Sequence, residues 1–138
     1  MTLEDLIAAA EAMGLHVKWM DLGRRAGELR RSGLVLLNHR KSVLTQRCTL
    51  AHEMGHWSLG HDWALYHDVD RDELAADAWA ARLLIGPVDY ALAERLHGPH
   101  AGAIARELDV STRLVEVWRS EVWKGATAAR RRGHLRAV

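Results

Sequence analysis

Several residue types are scarce in this chain, and each scarcity excludes a class of protein. Cys48 is the single cysteine among 138 residues, which excludes an intrachain disulfide framework. Apolar runs are short, as in LVLL at residues 34–37, and fall far below the roughly 20 residues that a membrane-spanning helix needs. We therefore expect no membrane span.

Charge of one sign is not in excess either. The formal net charge of +1 and the pI near 8.1 give no global bias toward nucleic acid or a membrane surface. The N-terminal MTLEDL lacks the basic and apolar regions of a signal peptide, so we expect a cytoplasmic protein. Basic residues concentrate only in ARRRGHLR at 129–136, and we predict that residues 126–138 form a tail outside the fold.

The remaining composition, 49% hydrophobic and 27% charged, is typical of one soluble globular domain, which we place at residues 1–125. Thr2 and Asp5 form a capping pattern before a helix that ends at Gly14. Alternating and β-type patterns then predict a three-stranded sheet, antiparallel or mixed, from residues 15–20, 28–31 and 34–38.

Beyond residue 45 every strong periodicity is helical. Helices are predicted at residues 45–60, 70–85, 89–97, 102–108 and 111–123, separated by glycine, proline and polar residues. The fold class is therefore α+β, with the helices gathered after the sheet.

The segment LAHEMGH, at residues 50–56, carries the strongest chemical pattern. His52 and His56 are four residues apart, so on a helix both imidazoles lie on one face and can bind one cation. Glu53 lies beside them and can act on a water molecule, as in the H-E-x-x-H arrangement. These side chains lie opposite an apolar stripe formed by Leu50, Met54 and Trp57.

A catalytic zinc ion takes three protein ligands and keeps one position open, so a third ligand must come from another segment. His61 lies about 180° around the helix from His52 and could reach the same ion only by leaving the helix. We predict Glu73 as the carboxylate ligand and Asp77 as the acceptor that fixes a histidine ring. An acidic helix start without metal stays open as an alternative. So do the weaker candidates His67, Asp68 and Asp72.

With these residues in place, the sequence resembles the ImmA/IrrE family of zinc metallopeptidases. The family pattern is an alanine-preceded H-E-x-G-H helix, an acidic residue with Ala-Asn or Ala-Asp, an aromatic-Ala-Ala stretch and Leu-Leu-x-Pro. Here these elements read LAHEMGH, ELAAD and AWAARLLIGP, within a resemblance that covers residues 14–117. Trp79 stands where phenylalanine is usual, and Gly86 is inserted before Pro87.

The resemblance implies a zincin-like helical core with one Zn²⁺ per chain, bound by His52, His56 and Glu73. It also implies that Glu53 is the catalytic base and that Asp77, where the family often has asparagine, supports a ligand. The implied activity is that of a gluzincin-like endopeptidase that cleaves a transcriptional repressor of a phage or mobile element. The host would be bacterial.

Two features of substrate handling remain expectations. The candidates for transition-state or substrate contacts are Tyr66, His61 and His67. An extended peptide is expected to pair with an exposed strand, and GLVLLN at residues 33–38 is the nearest strand in sequence to the metal-binding helix.

Residues 102–123 offer a different class of function, because they have the pattern of a helix-turn-helix. Its internal positions are Ala105, Val110, Val115 and Trp118, with Ser111 as a cap and Asp109 in the turn. The alternative is thus a DNA-binding regulatory protein with a structural or inactive zinc site. The family commonly carries a similar helical pair, which favours a packing role. The outer face of the second helix carries Thr112, Arg113, Glu116 and Arg119. The acidic Glu116 would face DNA phosphates unfavourably, which also favours packing.

Overall fold

The computed structural model describes residues 1–61 and 69–123. The predicted candidates Tyr66, His67 and Asp68 and the basic tail at 126–138 lie outside this part of the chain. Within it the elements, in chain order, are α1 Leu3–Ala12, β1 His16–Met20, β2 Gly27–Leu29, β3 Leu34–Asn38, α2 Val43–Ser58, α3 Val69–Leu84, α4 Pro87–His97, α5 Ala101–Leu108 and α6 Thr112–Val117, followed by a π-helical turn Trp118–Trp123. The predicted α+β class is confirmed.

Helix α1 begins as its sequence predicts. The backbone N–H of Asp5 donates to Thr2 Oγ1 at 3.1 Å, and the N–H of Thr2 donates to Asp5 Oδ2 at 3.0 Å. This reciprocal pair satisfies two backbone donors that the first helical turn leaves free. Gly14, with φ of +91°, ends the helix and turns the chain toward β1.

The three strands form a mixed sheet in the order β1-β3-β2. β3 pairs in parallel with β1 and antiparallel with β2, so it is the central strand. β2 ends at Leu29, two residues before the predicted Arg31, and Gly33, with φ of +90°, turns the chain into β3. The sheet places Leu29, Val35 and Leu37 in the core.

Helices α2 and α3 lie against each other at the centre of the molecule. Gly55 of α2 faces the backbone of Ala76, and a Cβ at position 55 would lie 2.9 Å from the Ala76 carbonyl oxygen. Ala76 and Ala80 are fully buried, as the small-residue face of α3 predicted. Small side chains therefore bring the two helices close enough for their polar side chains to meet.

The C-terminal helical pair packs into the same core. Its predicted internal residues, Ala105, Val110, Val115 and Trp118, are all buried. Asp109 closes α5 with φ of +55°, and its backbone oxygen accepts a hydrogen bond from the buried Arg47 of α2 at 2.6 Å. The ring of Trp118 stacks on Tyr90 of α4 at 4.2 Å. The pair is thus attached to both α2 and α4.

None of the helices in the described ranges, 1–61 and 69–123, has the length and apolar character needed to cross a bilayer.

Candidate metal centre

Both histidines lie on helix α2, which is capped at its start and packed into the core. Its first turn is capped by Ser42, whose Oγ accepts from the N–H of Thr45, and its apolar residues Leu50 and Met54 are buried in the core. His52 and His56 lie one turn apart on another face of the helix, with ring centroids 4.6 Å apart. The predicted segregation of the histidines from the apolar stripe is therefore present.

Glu73 of α3 completes a group of three donor atoms. The Nε2 atoms of His52 and His56 are 3.1 Å apart. Glu73 places Oε1 2.8 Å from His56 Nε2 and Oε2 3.1 Å from His52 Nε2. Two imidazoles and one carboxylate, all within 4.8 Å of one another, form a group that could hold a metal ion.

The dimensions of this group fit zinc. Ligands bound tetrahedrally at about 2.0–2.1 Å are separated from each other by about 3.3 Å, slightly more than the separations here. Among the described residues the donor set is two imidazole nitrogens and one carboxylate oxygen, a set that catalytic zinc sites use. The Glu73 side chain is 52% exposed, whereas those of His52 and His56 are 18% and 11% exposed.

Asp77 holds the ring of His52 from the opposite side. Its Oδ1 lies 2.7 Å from His52 Nδ1, while its Oδ2 accepts from Arg113 Nε at 3.3 Å. Burial lowers the pKa of His52, but the Asp77 hydrogen bond and the nearby carboxylates outweigh it and raise the pKa overall. For Asp77 burial acts in the opposite direction and raises the pKa, but the hydrogen bonds to His52 and Arg113 outweigh it and lower the pKa below its ordinary value. Asp77 is therefore a stable carboxylate acceptor.

His61 lies beyond the C-terminal end of α2, next to the second histidine. Its Nδ1 is 2.7 Å from His56 Nδ1, and its Nε2 is 3.5 Å from Asp72 Oδ1. His61 does lie outside the helix, but there it contacts the far nitrogen of His56 and does not join the group of His52, His56 and Glu73. Burial, together with the charge of His52, lowers the pKa of His56, which favours its neutral form.

Glu53 lines a cleft of about 490 Å³ beside His52. Burial raises the pKa of the Glu53 carboxyl to about 7, an effect that Glu73 reinforces and His52 opposes. The other walls of the cleft come from the loop before β2, from β2, from α2 and from α6, through Arg25, Gly27, Thr49 and Arg113. A carboxyl group that titrates near neutrality in an open cleft is suited to accept and return a proton.

The structure thus brings together four of the residues singled out in the sequence, His52, His56, Glu73 and Asp77, and places Glu53 in the adjoining cleft. Their predicted roles remain predictions, and the substrate-contact role of His61 is also untested. The sequence reasoning did not anticipate the contact between His61 and His56. It also missed Arg113 as a partner of Asp77, since nothing in the spacing of residues 77 and 113 links them.

A family model described as Peptidase_M78, IrrE N-terminal-like domain, matches residues 10–117. No curated protein matches the chain.

Proposed function

The chain belongs to the Peptidase_M78 family of IrrE N-terminal-like domains, and from this premise we propose that it is a zinc-dependent endopeptidase. The family match spans well over half of the chain and includes both helices of the metal centre. The resemblance to the ImmA/IrrE family is thereby confirmed, and the family supports a function of the metallopeptidase type. Zinc and the endopeptidase reaction are our proposal.

The observation that carries the proposal is the convergence of His52, His56 and Glu73 from two helices beside Glu53. A structural zinc site is normally closed by four protein ligands, whereas three ligands and an open side are typical of catalysis. A zinc ion held by these residues would supply Lewis-acid chemistry, polarising the scissile carbonyl and lowering the pKa of water.

Glu53 is proposed to carry the protons of the reaction. As a carboxylate it accepts a proton from the attacking water, and the water oxygen forms the new bond to the peptide carbonyl carbon. Glu53 then donates that proton to the nitrogen of the leaving amine as the C–N bond breaks. His52 and His56 keep their ring positions because Asp77 and His61 occupy their other nitrogens.

The expected substrate strand requires a correction. GLVLLN contains β3, which is paired on both sides and has no free edge. The edge strand at the cleft is β2, where Ala26 O accepts from Asn38 N and Arg30 N donates to Leu34 O. Because the ladder alternates, the backbone groups of Gly27 and Leu29 face outward. We propose that an extended substrate pairs with β2 at these two residues.

A repressor protein of a phage or mobile element is the proposed substrate, and a bacterial cytoplasm the proposed compartment. Both follow from the family resemblance. The test is co-expression with candidate repressors encoded beside the gene, with Glu53→Gln as the matched inactive form. Cleavage that depends on Glu53 supports the proposal, and repressors that stay intact beside an enzyme active on other proteins would contradict it.

The alternative of DNA binding has less support. In α6 and the π-helical turn, Arg113 contacts Asp77, and Arg119 donates to Tyr90 Oη and to the Pro99 carbonyl, each at 2.6 Å. These arginines are thus engaged within the fold, whereas a recognition helix presents such groups to the nucleic acid. Gel shifts with random duplex at two salt concentrations distinguish the two functions, because a steep salt dependence would indicate phosphate contacts.

A further inference from the structure

The C-terminal end of α2 is built in a way that returns the chain to His56. Gly60, with φ of +65°, follows the last helical residues, and its N–H donates to the Trp57 carbonyl at 3.2 Å. The N–H of His61 donates to the His56 carbonyl at 3.1 Å. These two bonds form a Schellman motif, in which the second residue after the cap lies over the residue five positions earlier. The backbone itself therefore places His61 beside His56.

The side chains of these two histidines then determine each other's protonation. Their Nδ1 atoms are 2.7 Å apart, so one nitrogen must donate a proton to the other. His56 directs Nε2 at His52 and Glu73, and a nitrogen that binds a metal ion must offer its lone pair. The proton of neutral His56 is therefore on Nδ1, which donates to His61.

The surroundings of His61 Nε2 indicate the same direction for the hydrogen bond, from His56 to His61. Its Nε2 faces Asp72 Oδ1 at 3.5 Å, and a nearby carboxylate favours the tautomer with the proton on Nε2. That tautomer leaves His61 Nδ1 as an acceptor, as the contact with His56 requires. The side chains of His61 and Asp72 are only 17% and 11% exposed, so water competes little with this chain of polar contacts.

We propose that His61 is a positioning residue of the metal centre, which fixes the tautomer and ring orientation of His56 and is itself oriented by Asp72. The inference rests on the proposed metal site. His61 accepts the Nδ1 proton of His56 as Asp77 accepts that of His52. Each histidine ring is therefore held at the nitrogen that does not face Glu73. Partners of this kind typically change metal affinity by about 10- to 100-fold.

The test compares three variants of the full chain. His61→Leu removes the acceptor at similar volume, and His61→Asn retains an oxygen at the place of Nδ1. His97→Leu is the matched control, because His97 pairs with Glu107 between α4 and α5, at 3.2 Å and outside the metal centre. Zinc affinity is measured by competition with a chromophoric chelator, and the stability of the metal-free protein by thermal unfolding.

We expect His61→Leu to bind zinc about 10- to 100-fold more weakly, with the melting temperature of the metal-free protein almost unchanged. His61→Asn should recover most of the affinity, and His97→Leu should retain all of it. In the zinc-loaded wild type, long-range ¹H–¹⁵N spectra should show His56 protonated on Nδ1 and His61 on Nε2.

Two results would overturn the inference. One is wild-type affinity in His61→Leu. The other is an equal loss in the leucine and asparagine variants together with a lower melting temperature, which indicates a structural role alone. A wild-type protein that binds no zinc would overturn the proposed function as well, whereas a zinc-binding wild type with an indifferent His61 leaves that function intact.

Discussion

His52 Nδ1 lies 2.7 Å from Asp77 Oδ1, across the contact between α2 and α3. This bond fixes which nitrogen of His52 carries the proton, and so directs the lone pair of Nε2 toward His56 and Glu73. The metal centre therefore depends on how closely the two helices pack as well as on its ligands.

Replacing Asp77 should weaken metal binding, and the loss should be larger when the new side chain cannot accept the His52 proton. Asp77→Ala removes the acceptor and should lower zinc affinity by about 10- to 100-fold. Asp77→Asn retains an amide oxygen there and should cost only a few-fold. Arg40→Ala is the control, because Arg40 pairs with Asp21 at 3.3 Å, away from the metal centre, and is 67% exposed. Chelator competition measures all three, and equal affinities for alanine and asparagine would contradict the assignment.

Gly55→Ala should destabilise the protein and open the metal centre. The added Cβ would lie 2.9 Å from the Ala76 carbonyl oxygen and 3.2 Å from Trp79 Cβ, so α2 and α3 must move apart. We expect the free energy of unfolding to fall by about 1–3 kcal/mol, with weaker zinc binding because Glu73 moves with α3.

The matched control for this prediction is Gly102→Ala in α5, where the nearest atoms belong to the exposed His100 ring at 3.3 Å. That change should be neutral or slightly stabilising, since alanine is the better helix residue. Denaturant unfolding measures both variants. A Gly55→Ala protein as stable as the wild type would show that the helices are less closely packed than the structure has them.

The metal-free protein should lose stability through Glu53 as the pH rises. Burial raises the pKa of Glu53 from 4.5 to about 7, so its contribution to stability is complete below pH 4.5 and is lost as the pH rises through 7. Glu53→Gln stays neutral and should escape this loss.

Relative to the wild type, the free energy of unfolding of metal-free Glu53→Gln should therefore rise by up to about 3 kcal/mol between pH 4.5 and 8. Titrating groups that do not interact with Glu53 are shared by both proteins and cancel in the difference, whereas His52, whose pKa the Glu53 charge helps to raise, contributes with Glu53. Denaturant unfolding in the presence of a chelator at several pH values measures it, and a difference independent of pH would contradict the raised pKa.

Pairing of substrate with β2 predicts a dependence on backbone amides. In a cleaved peptide, N-methylation of an amide that faces Gly27 or Leu29 should raise KM, because it removes a hydrogen bond across the strand edge. N-methylation at the alternate positions, which face away from β2, is the control. Kinetics over a series of singly methylated peptides measure this, and an effect without alternation would exclude strand pairing.

Local patterns were enough to predict much of this molecule. The Thr2–Asp5 cap, the α2 and α3 helices and the small-residue face at Ala76 and Ala80 follow from short-range rules of capping and periodicity. The contact of His61 with His56 also had a local signal, because a glycine at position 60 predicts a Schellman motif that places residue 61 over residue 56.

Other features depend on contacts between distant segments, which spacing does not encode. The central position of β3 is set by its pairing with β1, on the side away from β2. The Arg113–Asp77 pair joins residues 36 positions apart. The buried Arg47 donates to the backbone oxygen of Asp109, which lies 62 positions further along the chain. Such pairs become visible only once the helices are packed.

The most direct test of the account is to measure bound metal and proteolysis together in the wild type and in Glu53→Gln. We predict one zinc ion per chain in both proteins, because Glu53 is not among the three donors, and a loss of proteolysis of about 10²- to 10⁴-fold in the variant. Two results would contradict the proposed peptidase. One is a variant that cleaves as fast as the wild type, and the other is a wild type that contains no zinc after purification and binds none when zinc is added.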